Sequence, residues 1–461
     1  MASALYTARK TLKNYANGGN VLIFATGLAL LVVNLPFLHN FYNGLWTHEI
    51  ALQVGEFNLF SHQGHPMSIM AFINDALMAI FFFSIGLEIK REVLVGELSS
   101  FRQALLPIVA AVGGMGMPVL IFFILGHGSD YIGGAAIPMA TDIAFSLGIL
   151  SMLGNRVPIS LKIFLTTLAV VDDIGGILVI AIFYSSHINF WMLLAAGVLL
   201  VILAFGGKFG IQSKLFYFGI GAFVWFLFLN AGIHPTIAGV LIAFTVPARP
   251  IYAPKKYVKT IRDNIKLFSH EDDEILNSKT ILNKDQMNWL KEIESASDKV
   301  ISPLQDMEDS LHPVVNYLIV PLFAFANAGI YFGDLQFSAL FGGVSLAIIA
   351  GLVLGKFLGV FLFSWITVKL RWAPMPEGCN WKQVASVALL AGIGFTVSLF
   401  IANLSFGTGD PMLSQLLDNA KLGILVGSLL AGFGGWLALH FTLPKAPAES
   451  AKETNEKPQI S

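Results

Sequence analysis

Two adjacent carboxylates, Asp172 and Asp173, lie in the middle of a long apolar stretch. An ionisable side chain at the centre of a bilayer costs roughly 2.5–3.5 kcal/mol on insertion scales, so it usually serves a function. A glycine pair, Gly175 and Gly176, follows them, and capping of a helix break there is the structural alternative. Carboxylate oxygens suit hard cations and also accept protons. The pair therefore predicts a site that holds either a cation or protons.

Two other apolar stretches carry polar or glycine interruptions. Pro138 precedes Thr141 and Asp142 in the first stretch. The proline removes a backbone donor, and the two polar residues favour an unwound segment. The second stretch contains Gly392 and Gly394, although such glycines are more often sites of close helix packing. We expect both stretches to be spans interrupted near the midplane.

Lys356 lies about midway along the apolar stretch 343–368. Snorkelling to the membrane surface is the alternative, but the side chain is far from both interfaces, so we expect a carboxylate partner. Interrupted spans expose positive N-terminal and negative C-terminal helix ends. Asp142 and Lys356 are the candidates that compensate these ends. Paired interruptions in two chain halves indicate a transporter site between inverted repeats.

A group of charged residues follows the second apolar stretch and precedes the ninth. Glu88 and Glu92 are one helical turn apart, with Arg91 beside them. Glu308 and His312 form a similar pair, predicted to lie where the ninth span begins. Anchoring by positive charge and helix capping are the plainer explanations for these residues. Sequence reasoning alone leaves their role open.

The composition is typical of a polytopic membrane protein. Of 461 residues, 55% are hydrophobic and 12% are charged, with a mean hydropathy of +0.71. A soluble domain carries about 25% charged residues. Together with a net charge of -1, this argues against a cytosolic enzyme, a disordered chain and a nucleic-acid partner. The single cysteine, Cys379, excludes a disulfide scaffold and a cysteine-ligated metal centre.

Apolar stretches of about 20 residues predict twelve transmembrane helices, so the fold class is all-α. Their approximate ranges are 19–36, 67–89, 103–126, 134–152, 158–184, 189–206, 214–230, 234–247, 313–331, 343–368, 384–405 and 420–442. The fourth and eleventh are the interrupted ones. Nearly all of the 28 lysines and arginines fall in alternate loops. The positive-inside rule therefore predicts that both termini are cytoplasmic, including Arg9, Lys10 and Lys13.

The spans and loops divide the chain into four parts. They are residues 1–249 with the first eight spans, a cytoplasmic insertion at 250–310, the last four spans at 311–442 and a disordered cytoplasmic tail at 443–461. In the external loop 38–66, alternating apolar residues before Gly55 predict a short hairpin. Within the insertion, apolar residues at helical spacing predict two helices, one around 258–268 and one around 287–293.

Three other functions fit less well. Residues 407–410 match the G-x-G-D pattern of intramembrane aspartyl proteases, but they lie in an external loop and no matching Tyr-Asp partner is present. A cation channel would select ions with rings of groups in an oligomer rather than with a carboxylate pair and a lysine. An ATP-driven pump needs a phosphate-binding loop, and Ala350 stands where its first glycine belongs.

Six segments together resemble the NhaA family of sodium/proton antiporters, a known case of inverted repeats. They are residues 74–79, 86–92, 140–145, 171–175, 231–234 and 318–329. The similarity runs from about residue 15 to 442, and the combination of segments is specific although each segment alone is not.

The resemblance implies an electrogenic, pH-regulated exporter of sodium or lithium that lets protons in and serves sodium and pH homeostasis. It implies that Asp172 and Asp173, beside Thr141, bind the ion, and that Asp142 and Lys356 compensate the helix ends. It also implies that Glu88, Arg91, Glu92, Glu308 and His312 adjust activity to pH. The expected location is the bacterial inner membrane.

The same resemblance implies no enzymatic activity and no cofactor, only the transported ions. The lipid bilayer is the expected partner, and a second copy of the chain is a candidate partner. The connection between residues 249 and 307 is longer than is typical of the family.

Overall fold

The computed structural model describes residues 18–54, 57–62, 65–185, 188–249, 254–268, 284–333, 340–407 and 410–444. These residues form sixteen helices and five short strands. The helices are α1 (Gly18–Asn34), α2 (His39–Thr47), α3 (Ile69–Val95), α4 (Phe101–Leu125), α5 (Ile143–Met152), α6 (Ile159–Phe183), α7 (Phe190–Lys208), α8 (Lys214–Ala231), α9 (Thr236–Thr245), α10 (Pro254–Phe268), α11 (Lys284–Val300), α12 (Pro303–Asn327), α13 (Gly343–Lys369), α14 (Trp381–Leu390), α15 (Phe395–Phe406) and α16 (Pro411–Thr442).

The helices confirm an all-α polytopic membrane protein. In the described part of the chain, nine helical segments are long and apolar enough to cross a membrane, and up to eleven if each bent helix pair counts as one span. The short apolar helix α9 occupies the position of the eighth predicted span. Every one of the twelve predicted stretches therefore contains an apolar helix.

Both predicted interruptions are present. In the fourth span, residues 132–152, the chain leaves helical geometry at residues 140–142, just before α5. In the eleventh span, α14 and α15 meet at an angle of 43° across residues 391–394. The two breaks lie against each other, because Asp142 N donates a hydrogen bond of 2.6 Å to Ile393 O.

Glycines let the helices around these breaks approach closely. A side chain on Gly359 of α13 would collide with the backbone carbonyl of Gly113 on α4. A side chain on Gly239 of α9 would collide with the carbonyl of Ala79 on α3. Small residues at helix crossings permit such backbone contact in membranes. The first crossing brings α13, and with it Lys356, against α4.

The predicted external hairpin is present, within a larger arrangement. Strands β2 (Gln53–Val54) and β3 (Phe57–Asn58) pair antiparallel, as the alternation predicts, and Gly55 lies outside the described residues. The other strands, β1 (Glu49–Ile50), β4 (Ser61–His62) and β5 (His65–Ser68), form a second small sheet in the order β1-β5-β4. The helix α2 before them was not predicted. It turns by 113° from α1, after residues that include Pro36.

Two helices begin about ten residues before the predicted spans. The helix of the ninth span begins at Pro303 because Ser302 caps it, accepting a hydrogen bond from the Gln305 amide. The helix of the twelfth begins at Pro411, where the Asp410 side chain accepts from the Met412 amide. Polar residues within the first ten positions of each helix lower the hydropathy there. Glu308 and His312 thus lie within α12 rather than ahead of it.

The insertion contains the two predicted helices, α10 and α11, which pack against each other. Asn264 Nδ2 of α10 donates a hydrogen bond of 3.0 Å to Glu292 Oε2 of α11. The division into four parts stays a prediction. The basic N-terminal residues and nearly all of the predicted tail at 443–461 lie outside the described residues.

Candidate ion site

Asp172 and Asp173 are both buried, with exposed fractions of 1% and 6%. They lie in the middle of α6, a 25-residue helix whose other residues are almost all apolar. Neighbouring positions on a helix point about 100° apart, so the two carboxylates face different surroundings. Each is therefore described by its own contacts.

Asp172 is held by Lys356 and Thr141. Lys356 Nζ, fully buried on α13, forms an ion pair and hydrogen bond with Asp172 Oδ2. Thr141 Oγ1 donates to the same oxygen at 2.6 Å. The expected carboxylate partner of Lys356 is thereby confirmed. The other oxygen, Asp172 Oδ1, is buried with no hydrogen-bond partner among the described residues.

Asp173 faces a cavity of about 260 Å³. The polar and charged residues that line this cavity include Glu88, Thr141, Asp142, Asp173, His312 and Thr396. The cavity thus connects Asp173 and the break in the fourth span with Glu88 of α3 and His312 of α12. An ion in it could reach Asp173 without crossing apolar packing.

Asp142 caps two half-helices at once. Its Oδ1 accepts from the Phe145 amide at the start of α5, at 3.1 Å. Its Oδ2 accepts from the Thr396 amide at the start of α15, at 3.1 Å, and from Thr396 Oγ1 at 2.6 Å. A carboxylate at two helix N-termini offsets both positive ends. Thr396 was missed as a functional residue. The sequence signal in that segment was the pair of glycines, Gly392 and Gly394, and not the threonine.

The carbonyls at the opposite half-helix ends are occupied by hydroxyls. Thr141 Oγ1 also lies 2.9 Å from Ala391 O, so this carbonyl and Asp172 Oδ2 share its single hydroxyl proton, and Ser146 Oγ donates to Leu390 O at 3.1 Å. Ser398 Oγ donates to Ile137 O at 2.7 Å. Unsatisfied backbone groups in a membrane cost several kcal/mol, so these hydroxyls allow the breaks to exist. Lys356 donates its described hydrogen bond to Asp172 and not to a half-helix end. Its role in compensating the negative helix ends therefore stays a prediction.

The oxygen atoms near the breaks suit a small hard cation. Thr141 and Asp173 line the cavity, and Thr141 Oγ1 donates a hydrogen bond to Asp172, whose Oδ1 has no partner among the described residues. Oxygen ligands are those that hard cations prefer. Among the described residues, no group of three or more His, Cys, Asp or Glu side chains forms a metal site. The arrangement is one of two carboxylates and a hydroxyl.

The predicted charged group of α3 and α12 is brought together in part. Arg91 Nε donates to both oxygens of Glu308, at 2.9 and 3.0 Å, and Arg91 Nη1 pairs with Glu92 at 2.9 Å. Glu88 and His312 both line the cavity. His312 is exposed, and its nearest recorded partner is Asn316 Nδ2 at 2.9 Å from Nδ1.

A second polar group at the other end of α3 was only partly recognised. His234 Nε2 lies 3.7 Å from Asp75 Oδ1, and Asn327 Nδ2 donates to Asn74 Oδ1 at 2.8 Å. Trp225 Nε1 donates to the Asp75 carbonyl at 3.1 Å. The sequence signal was Asn74 and Asp75 inside an apolar stretch. Both residues belong to the segment 74–79 that contributes to the family resemblance, and the sequence predicts no individual role for either.

Comparison with known proteins identifies the family. The family model for Na+/H+ antiporter 1 matches residues 9–439. The chain belongs to this Na+/H+ antiporter family. As a family member it is a multi-pass bacterial membrane transporter and not an enzyme, and the expected resemblance is confirmed.

Several curated relatives carry the name Na(+)/H(+) antiporter NhaA. The one from Phocaeicola vulgatus is 54% identical over 94% of this chain and 96% of its own length. The one from Porphyromonas gingivalis (strain ATCC BAA-308 / W83) is 46% identical over 95% and 96%. The one from Sulfurimonas denitrificans is 42% identical over 93% and 94%. In each comparison the match thus extends along nearly the whole length of this chain and of its relative.

Proposed function

We propose that this antiporter exchanges sodium for protons at Asp172, Asp173 and Thr141. The observation that carries the proposal is the buried Asp172 Oδ1, which has no hydrogen-bond partner among the described residues. Asp172 accepts a hydrogen bond from Thr141, which lines the same cavity as Asp173. A buried anionic oxygen left unpaired is costly unless a proton or a cation occupies it. Both transported species therefore have a reason to bind there, and they compete for the same oxygens.

The ion pair of Lys356 with Asp172 supports electrogenic exchange. Before sodium binds, the Lys356–Asp172 pair and a protonated Asp173 carry no net charge. A sodium ion that replaces the Asp173 proton keeps this sum at zero, but its bond to Asp172 separates Lys356 from its carboxylate partner. Because a buried ammonium separated from its partner is strongly unfavourable, we expect Lys356 to release its proton as well, so that about two protons leave for each sodium bound. One net charge then moves in each cycle.

The proposed direction is sodium or lithium out and protons in, across the bacterial inner membrane. Cytoplasmic termini follow from the basic loops. With that orientation the cavity leads from Asp173 to the cytoplasmic end of α3, where Glu88 lies. An inward proton gradient would then drive cations from the cytoplasm. No cofactor enters this scheme.

We also propose that the charged group of α3 and α12 tunes the response to pH. Glu88 and His312 face the same cavity as Asp173, and Glu308 joins the two helices through Arg91. Charges at a cavity mouth change the local concentration of protons and cations. Competition at the two aspartates would set the acidic limit, and this group would shift its midpoint.

Reconstituted vesicles containing only this protein test the proposed exchange. With a preset pH gradient, sodium or lithium should collapse the gradient, and potassium should do much less. A membrane potential imposed with a potassium ionophore should change the initial rate, because the cycle moves charge. The matched control is the double variant Asp172→Asn, Asp173→Asn, which should be silent. Sodium flux that proceeds with no pH change at any pH would show a channel instead.

A further inference from the structure

The helix α10 in the insertion carries a basic stripe on the side away from α11. Lys259, Arg262 and Lys266 are all exposed and fall within an arc of about 60° at 100° per residue. Asn264, which bonds to α11, lies on the opposite side of the helix. Lys259 and Arg262 therefore lie on the side of α10 away from this contact.

Exposed apolar side chains adjoin the stripe. Val258 is 42% exposed and Ile265 is 54% exposed, and on the helix they lie beside Arg262. Aliphatic residues next to lysine and arginine on one face are typical of helices that lie in a membrane interface. The apolar groups enter the headgroup layer, and the cations stay at its surface.

Both ends of the hairpin connect to apolar helices. The chain passes from the end of α9 at Thr245 to the start of α10 at Pro254, a link that spans at most about 30 Å. At its other end, Val300 of α11 is followed almost at once by α12, and Leu304 N donates to Pro247 O at 3.2 Å. The hairpin thus leaves and returns at one point beside the apolar helices, within reach of lipid headgroups.

We propose that α10 lies on the bilayer that holds the protein and binds anionic phospholipid headgroups through Lys259 and Arg262, with Val258 and Ile265 inserted between them. Charge complementarity selects this occupant, because the leaflet facing the cytoplasm is the one that attracts basic segments. On α11 the exposed charged residues include Asp285, Glu292 and Glu294 as well as Lys284 and Lys291, so that helix offers no comparable basic face. The proposal goes beyond ion exchange and does not require it.

The test measures the depth of residue 258 in the full-length protein. A Cys379→Ser, Val258→Cys variant carries a nitroxide spin label and is placed in nanodiscs of phosphatidylcholine alone or with phosphatidylglycerol. In phosphatidylglycerol discs we expect the ratio of oxygen to nickel-chelate accessibility to rise several-fold over that in phosphatidylcholine. High salt should reverse the rise, because it screens the charges.

Charge reversal separates this contact from alternatives. Adding Lys259→Glu and Arg262→Glu should return the label to the aqueous value in phosphatidylglycerol discs. The matched control, Lys284→Glu and Lys291→Glu on α11, makes the same charge change and should leave the depth unchanged. A label that is equally water-exposed in both lipids, or equally deep in both, would overturn the proposal. The exchange assay on the same variants reports independently on the ion site.

Discussion

Asp173 is the residue on which the exchange mechanism depends most directly. Asp173→Asn keeps the shape of the side chain but removes an anionic ligand and a proton carrier. We expect it to abolish sodium-driven proton movement in vesicles, while size-exclusion chromatography still shows a folded protein. Asp130→Asn, an exposed carboxylate outside the site, is the matched control and should retain full exchange. Full activity of Asp173→Asn would remove this residue from the site.

Lys356 decides whether the cycle moves charge. Lys356→Arg keeps the buried cation that pairs with Asp172, but a guanidinium does not release its proton. Asp173 is then the one group that can release a proton, so the variant should still exchange sodium for protons but lose its response to membrane potential. The measurement compares initial rates with and without an imposed potential. An exchange rate that still depends on potential as strongly as in the parent would contradict the assignment of Lys356 as the second proton carrier.

At the scale of helical elements, the capping of two half-helices by Asp142 explains why the spans break where they do. Thr396→Val removes the hydroxyl that donates to Asp142 Oδ2 at 2.6 Å while keeping volume. A lost buried hydrogen bond to a carboxylate should lower stability by about 1–2 kcal/mol. A lower thermal unfolding midpoint in detergent would show this. The Thr442 hydroxyl donates to Ala438 O within its own helix, so Thr442→Val should lower the unfolding midpoint less.

The contact between α3 and α12 governs the predicted pH response. Glu308→Gln leaves Arg91 without its main partner and adds positive charge near the cavity. That charge repels both protons and sodium, so the acidic limit of activity should move to lower pH and the apparent KM for sodium should rise. Maximal exchange at alkaline pH should remain. The pH profile of initial rates measures both effects.

A matched control is available on the same helix. Asp306 of α12 pairs with Lys214 at 2.8 Å, and both side chains are largely exposed. Exposed ion pairs contribute little and are screened by salt. Asp306→Asn should therefore leave the pH profile unchanged. Superimposable profiles for Glu308→Gln and the parent would leave proton competition at the aspartates as the mechanism of pH dependence.

Sequence reasoning located the buried charges but not their full set of partners. Lys356 needed a carboxylate because a lone buried cation is unfavourable, and that argument requires no coordinates. The link from Asp142 to Thr396 joins residues 254 positions apart, and local patterns contain no signal for it. The starts of α12 and α16 were missed for another reason. Polar residues interrupt the first ten positions of both helices, and caps rather than hydropathy set their starts.

At the scale of the whole molecule, the transport core and the insertion have separable roles in this account. Replacing residues 255–300 with a short Gly/Ser bridge removes α10 and α11 but none of the residues around Asp173. We expect exchange at alkaline pH to remain near the parent rate in vesicles. Thermal unfolding checks that the shortened protein is folded. Loss of exchange in a protein that still folds would show that the insertion acts on the ion path.

Proton release on sodium binding tests the central claim most directly. Isothermal titration of the detergent-purified protein with sodium chloride, in buffers with different ionisation enthalpies, gives the number of protons released per ion bound. Proton release from Asp173 and Lys356 predicts about two protons per sodium ion when both are protonated beforehand, and no binding heat in the Asp172→Asn, Asp173→Asn variant. Sodium binding by the parent with no proton release would contradict the account.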